Sequence, residues 1–255
     1  MPLATIYAVT LAIGVSLGCG CVDRAVDSRP LMVAAAASLS NVLPRAGAEF
    51  AAQGGRPVRF NFGGSNALAR QIGEGLAVDV FLSADSAQMD LVERAGRLVD
   101  GSRVNVLSNQ LVIVVPADSP TAVGPRDLGS AAVTRIAMAD PGAVPAGVYG
   151  RQWLERLDLW RAVAPKVIPS PSSPAAMAAV REGHVQAGIV YATDAATQPA
   201  VRVSHAVPDG EAPEILYPAA VVAGGDELNA RALIAFLTTD AARRVFLDAG
   251  FRLPR

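Results

Sequence analysis

Leu31-Met32-Val33-Ala34-Ala35-Ala36-Ala37 is a continuous run of small apolar residues, and Ser38-Leu39 follows it directly. A run without polar alternation is the pattern of a strand buried on both faces, as strands of parallel α/β sheets are. The serine marks the expected start of a helix, because Leu39, Leu43, Ala46 and Phe50 recur at helical spacing up to Gly54-Gly55. Pro44 fits that helix only in its first turn or at a kink. The unit then repeats. Residues 58–62 alternate as a short strand, Gly63-Gly64-Ser65 forms a loop, and residues 66–73 carry Leu68 and Ile72 one turn apart.

The alternation continues along the chain. Strands are expected at 78–83, 111–116, 136–139, 185–191 and 219–223, and helices at 87–95, 147–157, 174–182, 228–237 and 241–249. The helix at 174–182 has the clearest start, with Ser172-Ser173 ahead of Pro174 supplying a capping serine and then a proline at the first helical position. Strands alternating with helices imply parallel sheets covered on both faces.

Composition sets the outer limits. With 255 residues, 51% of them hydrophobic and 18% charged, the chain is no disordered segment; it can hold one large α/β domain or two lobes. Its 22 basic and 23 acidic residues leave a net charge of -1, without the clustered basic excess of a nucleic-acid-binding surface. Cys19 and Cys21 are the only cysteines and lie near the start, so the rest of the chain has no disulfide or thiolate metal site. His184 and His205 are far apart and show no ligand spacing, so a His-based metal centre is not expected.

Residues 2–22 carry no charge, and Gly14, Ser16, Gly18 and Gly20 gather toward the end of the apolar run. Residues 1–22 therefore read as an export leader and 23–30 as a polar tether. Ser16-Leu17-Gly18-Cys19 resembles a bacterial lipobox with its leucine one place late. A lipoprotein anchored on Cys19, a cleaved signal peptide and an uncleaved anchor are three readings of this segment. All place the protein in the periplasm or on the outer face of the cytoplasmic membrane.

Ser38, Ser65, the Pro145-Ala146-Gly147 turn and Ser173 each stand between a strand and the start of a helix. Helix starts offer unpaired backbone N–H groups and the positive end of a dipole, and in α/β sheets such loops gather where ligands bind, so the four together point to an anion. Taken singly, each serine is explained by capping alone. Enzyme patterns fit less well. Gly63-Gly64-Ser65-Asn66-Ala67 fails the G-x-S-x-G elbow at its last position, and no phosphate-binding P-loop occurs. His184 and His205 read as surface residues, and Asp79, Asp85, Asp140 and Asp194 as strand-end or turn acids.

Ala35-Ala36-Ala37-Ser38-Leu39, residues 63–72 (GGSNALARQI), 77–85 (AVDVFLSAD), Asp140-Pro141 with 144–149 (VPAGVY), and 188–195 (GIVYATDA) together resemble the periplasmic molybdate-binding proteins of molybdate ABC transporters, the ModA family. The resemblance covers residues 31–254. It implies an α/β fold of the two-lobed periplasmic-binding-protein type (type II), each lobe a mainly parallel sheet flanked by helices, with the ligand in the cleft between lobes. Lobe 1 would comprise 31–110 plus 218–255 and lobe 2 residues 111–217, with crossings near 109–112 and 216–218. Carried over by motif, the oxyanion would be held by the hydroxyls of Ser38 and Ser65, the backbone N–H of Ala146 and the hydroxyl of Tyr191; counting back from Tyr191 puts the remaining backbone N–H on Ser173, where relatives often carry an aliphatic residue. Molybdenum would thus be bound as its oxyanion, with no protein atom coordinating the metal. The resemblance further implies a monomer that catalyses nothing, carries no cofactor, and captures molybdate, and tungstate with it, for the permease of an ABC transporter. It touches no nucleic acid, and meets the membrane only through a lipid anchor. The alternatives are a binding protein for sulfate or another oxyanion on the same fold, and a serine hydrolase using Ser38 or Ser65, which would need His184 or His205 within hydrogen-bond reach.

Overall fold

The structure is a computed structural model and describes residues 29–255. Residues 1–28, which hold both cysteines, the segment read from sequence as a leader and all but the last two residues of the one read as a tether, lie outside the described residues. Among those described, no helix is long and apolar enough to cross a membrane.

The strands are β1 (Leu31–Ala36), β2 (Val58–Gly63), β3 (Val80–Leu82), β4 (Val104–Asn109), β5 (Leu111–Pro116), β6 (Ile136–Ala139), β7 (Val167–Ser170), β8 (Ala187–Tyr191), β9 (Val201–Ala206) and β10 (Ile215–Val221). The helices are α1 (Leu43–Ala52), α2 (Ser65–Gly73), α3 (Ser86–Arg94), α4 (Pro145–Arg156), α5 (Trp160–Val163), α6 (Ser173–Arg181), α7 (Ala192–Ala195), α8 (Glu227–Leu237) and α9 (Asp240–Asp248). They form two five-stranded sheets, ordered β2-β1-β3-β10-β4 and β7-β6-β8-β5-β9.

Both sheets are mixed, which corrects the expectation of mainly parallel ones. β1 runs parallel to β2 and β3, and β6 parallel to β7 and β8. β10 is antiparallel to β3 and β4, and β5 to β8 and β9. The antiparallel pairings involve the strands that flank the two passages between sheets, where no crossover helix imposes a parallel return. Gln110 alone joins β4 of the first sheet to β5 of the second. The return lies within 207–214, upstream of the 216–218 that the resemblance implied, because Ile215 and Leu216 already pair with Asn109 and Ser108 in the first sheet.

β4, β7 and β9 went unread in the sequence, and each is an edge strand. β7 (VIPS) and β9 (VRVSHA) are largely exposed or half-buried and show no continuous apolar run, and in β4 (VNVLSN) Asn105, Ser108 and Asn109 break it. The first helix also starts later than the serine suggested. Ala37–Leu39 is a single 3-10 turn, and α1 begins at Leu43, which puts Pro44 in the first turn where its missing N–H costs nothing. Leu43, Ala46 and Phe50 face the core as their spacing required.

That core is continuous across both sheets, from Leu31 and Val33 through Tyr217 to Ile113 and Ile189. Asp79, just before the middle strand β3, ties one end of the first sheet together. Its carboxylate accepts both guanidinium nitrogens of Arg29 at 2.8 and 2.7 Å, the N–H of Met32 at 2.7 Å and the N–H of Asp226 at 2.8 Å. Burial alone would raise its pKa, but these bonds and the Arg29 charge outweigh it and hold the carboxyl below its ordinary value.

Candidate functional site

The carboxyl ends of β1, β2, β6, β7 and β8 converge, and the segments that leave them line one small cavity. Ser38 enters from the 3-10 turn after β1, Ser65 as the first residue of α2, Ala146 from the first turn of α4, Ser173 as the first residue of α6, and Tyr191 as the last residue of β8. The structure thus brings all five predicted residues to one place. Gly63, Gly64, Ala84, Val144 and Ser172 complete much of the wall, and none of the lining residues carries a formal charge. The centre of a water-sized sphere sweeps about 20 Å³ inside. If roughly spherical, such a void has a radius of about 3 Å, room for one compact polyatomic ion.

The wall presents donors. Tyr191 Oη is buried and has no hydrogen-bond partner within the protein, and burial raises its pKa well above the ordinary phenol value, so it keeps its proton. Ser65 Oγ accepts the Ala84 N–H at 3.0 Å, which leaves its own proton free for the cavity. In α4, proline at the first position has no N–H, and the N–H groups of Ala146 and Gly147 have no acceptor within the helix. In α6 the capping residue is Ser172, whose Oγ accepts the Ala175 N–H at 3.3 Å; Ser173 is the first helical residue and Pro174 the second, one place on from the sequence reading. The Ser173 N–H is left for a ligand. Its hydroxyl is not, since it donates to Asp194 Oδ2 at 2.5 Å and accepts the Tyr191 N–H at 3.2 Å. Ser38 and Ser65 make no side-chain cap. The helix dipoles of α2, α4 and α6 all point their positive ends at this space.

Three polar residues behind the wall escaped the sequence reading. Tyr217 Oη lies 3.1 Å from Ser38 Oγ, and Asn109 Nδ2 lies 3.1 Å from Tyr217 Oη and 3.0 Å from Thr193 Oγ1. A tyrosine inside the buried strand β10 was the available signal, because a buried phenol O–H needs a partner. Asp194 is the third. Asp85 caps α3 and Asp140 closes a local turn at Gly142, as read from sequence, but Asp194 is buried against Ser173. Burial pushes its pKa up to about 7, against the lowering effect of the Ser173 hydroxyl.

The histidines are elsewhere. His184 is exposed beside Glu182 just past α6. His205, on β9, is half-buried, not a surface residue; its ring stacks on Trp153 at 6.1 Å. A larger cleft of about 190 Å³ at the passages between sheets is lined by polar groups that pair with one another, Arg252 bonding both Asp209 and Gln110.

The model of the bacterial extracellular solute-binding proteins matches residues 31–252. The chain belongs to that family. As an extracellular solute-binding protein, it is 32% identical over 236 residues to the molybdate-binding protein ModA of Escherichia coli strain K12, covering 89% of this chain and 90% of the relative. Among solved structures of similar fold are the periplasmic molybdate-binding protein of Azotobacter vinelandii (TM-score 0.80, 22% identity, 88% of this chain and 100% of that one) and the sulfate-binding protein SubI of Mycobacterium tuberculosis H37Rv (TM-score 0.74, 19% identity, 88% and 86%). This two-lobed α/β architecture serves solute capture in the family, and the chain is a binding protein, not an enzyme. The serine-hydrolase alternative falls with that assignment.

Proposed function

We propose that this solute-binding protein captures molybdate, and tungstate with it, in an extracytoplasmic compartment and passes the oxyanion to the permease of an ABC transporter. One observation carries the reading: a cavity sized for a single compact ion, uncharged, and furnished with hydrogen-bond donors from five separate segments. A desolvated dianion needs such convergent donors, and a wall without formal positive charge binds it without holding it too tightly to release. The ligand set we assign is Ser38 and Ser65 hydroxyls, Ala146 and Ser173 N–H groups, and Tyr191 hydroxyl. Kinship with the molybdate-binding protein of Escherichia coli supports the choice of ion.

In this reading residues 31–110 with the C-terminal residues from about 215 on form one lobe and the intervening residues the other, acting as a monomer that closes on the anion. A lipid on Cys19 would hold it at the outer face of the cytoplasmic membrane.

Calorimetric titration of anion-free protein with molybdate, tungstate, sulfate and phosphate tests the proposal. Molybdate and tungstate should bind one to one, with sulfate weaker by roughly a hundredfold because donors spaced for a larger ion leave it under-coordinated. Tyr191→Phe, which removes one donor to a charged ligand, should weaken molybdate about tenfold. Equal affinity for sulfate would keep the anion site and overturn the named ligand; no binding of any of the four would overturn both.

A further inference from the structure

We propose that Tyr217 and Asn109, which do not line the cavity, are positioning residues that fix the Ser38 hydroxyl as a donor into it, and so set the site against any oxyanion that carries a proton. The inference rests on the oxyanion reading above and adds residues to it.

Proton accounting carries the argument. The N–H of Gln110 can only donate, and it does so to Asn109 Oδ1 at 2.8 Å. That fixes the orientation of the Asn109 amide, so the group facing Tyr217 and Thr193 is the NH2, and its two protons go to Tyr217 Oη and Thr193 Oγ1. Tyr217 Oη already accepts from Asn109, and its single proton has Ser38 Oγ, 3.1 Å away, to receive it. Ser38 Oγ therefore accepts from behind, and its own proton turns to the cavity that Ser38 lines. The reverse sense, Ser38 donating to Tyr217, would leave the phenol proton of a fully buried tyrosine facing another donor.

The chain of bonds thus runs one way, from Gln110 through Asn109 and Tyr217 to Ser38. Ser65, held from behind by the Ala84 N–H, is set in the same sense. An oxygen bearing a proton finds donors opposite it at Ser38 and Ser65. A fully deprotonated dianion finds only partners.

The polarity can be reversed by one atom change. In Asn109→Asp the carboxylate still accepts from Gln110 but must also accept from Tyr217, so the phenol proton swings away from Ser38 and the Ser38 oxygen offers lone pairs to the cavity. The added charge repels anions of equal charge alike, so the readout is a ratio taken at pH 8, where both test anions are dianions. Molybdate, fully deprotonated there, and arsenate, which still holds one proton, should lose about tenfold or more of their affinity ratio in Asn109→Asp. Separately, Ser38→Ala should weaken molybdate about tenfold in the wild-type background and by about threefold or less in a Tyr217→Phe background, where the hydroxyl is no longer set. An unchanged molybdate-to-arsenate ratio in Asn109→Asp, or the same factor for Ser38→Ala in both backgrounds, overturns the inference. If wild-type protein binds neither molybdate nor tungstate, the functional reading itself fails, a result distinct from either.

Discussion

Gly147→Ala should cost about 3 kcal/mol of stability and weaken anion binding by roughly a hundredfold, although glycine to alanine inside a helix ordinarily stabilises by up to about 1 kcal/mol. The sign is reversed by packing. A Cβ at residue 147 would lie 2.1 Å from the Ala139 carbonyl oxygen and 2.4 Å from that of Asp140, both backbone atoms that cannot step aside. The first turn of α4 must then lift off the end of β6, and it takes the Ala146 N–H out of the cavity with it. Gly73 in α2 is the control: nothing lies within 4 Å of its missing Cβ, so Gly73→Ala should be neutral or slightly stabilising. Urea denaturation and molybdate titration of the two variants measure both effects. A Gly147→Ala protein as stable and as avid as wild type would mean that α4 is not seated where binding requires it.

The second large effect concerns pH. The Asp194 carboxyl is buried one hydrogen bond behind the cavity wall, and burial raises its pKa to about 7 from an ordinary 3.8. An acid whose pKa is raised in the folded state binds more protons folded than unfolded between those two values. The stability contributed by its neutral form is therefore fully present below about pH 4 and is lost as pH climbs to about 7. Asp194→Asn should abolish that loss, so its stability relative to wild type should rise by roughly 2–4 kcal/mol between pH 4 and pH 8. Binding follows the same sense. Above pH 7 the ionised Asp194 faces an incoming anion, and wild-type affinity should fall with pH while Asp194→Asn, at pH 8, binds on the order of tenfold more tightly than wild type. Parallel pH profiles for the two proteins would show that the carboxyl does not titrate in this range.

The parts of this molecule legible in its sequence were those written as local pattern. Buried central strands such as Leu111–Pro116 and Ile136–Ala139 announce themselves as unbroken apolar runs, and Pro174 announces a helix start; the helix expected from 147 begins two residues earlier, at Pro145. Ser38, Ser65, Ala146 and Tyr191 could be placed together on one wall because each sits at a strand-to-helix turn or strand end inside a specific motif, and Ser173 because it marks a helix start ahead of Pro174. Unlike β2, whose alternation showed, the edge strands β4, β7 and β9 were not legible, since polar or exposed residues break their apolar runs. Nor were Tyr217 and Asn109: Tyr217 meets Ser38 across 179 positions of chain and Asn109 meets Tyr217 across 108, and Ser38 and Tyr217 come together only when β10 inserts into a sheet begun by β1. Asp194 looked like any turn acid, for burial rather than position makes it unusual.

The uncharged wall has a kinetic corollary. A pocket lined with formal positive charge draws anions from beyond contact distance, at rates that fall steeply as salt is added. Here the attraction comes from hydroxyls, peptide N–H groups and helix ends, whose fields fade within a few ångströms, and the molecule as a whole carries a net charge of only -1. Capture is accordingly a matter of random encounter followed by short-range fit. A protein working outside the cytoplasm, where ionic strength follows the surroundings of the cell, thereby keeps an association rate that changes little between dilute and salty water.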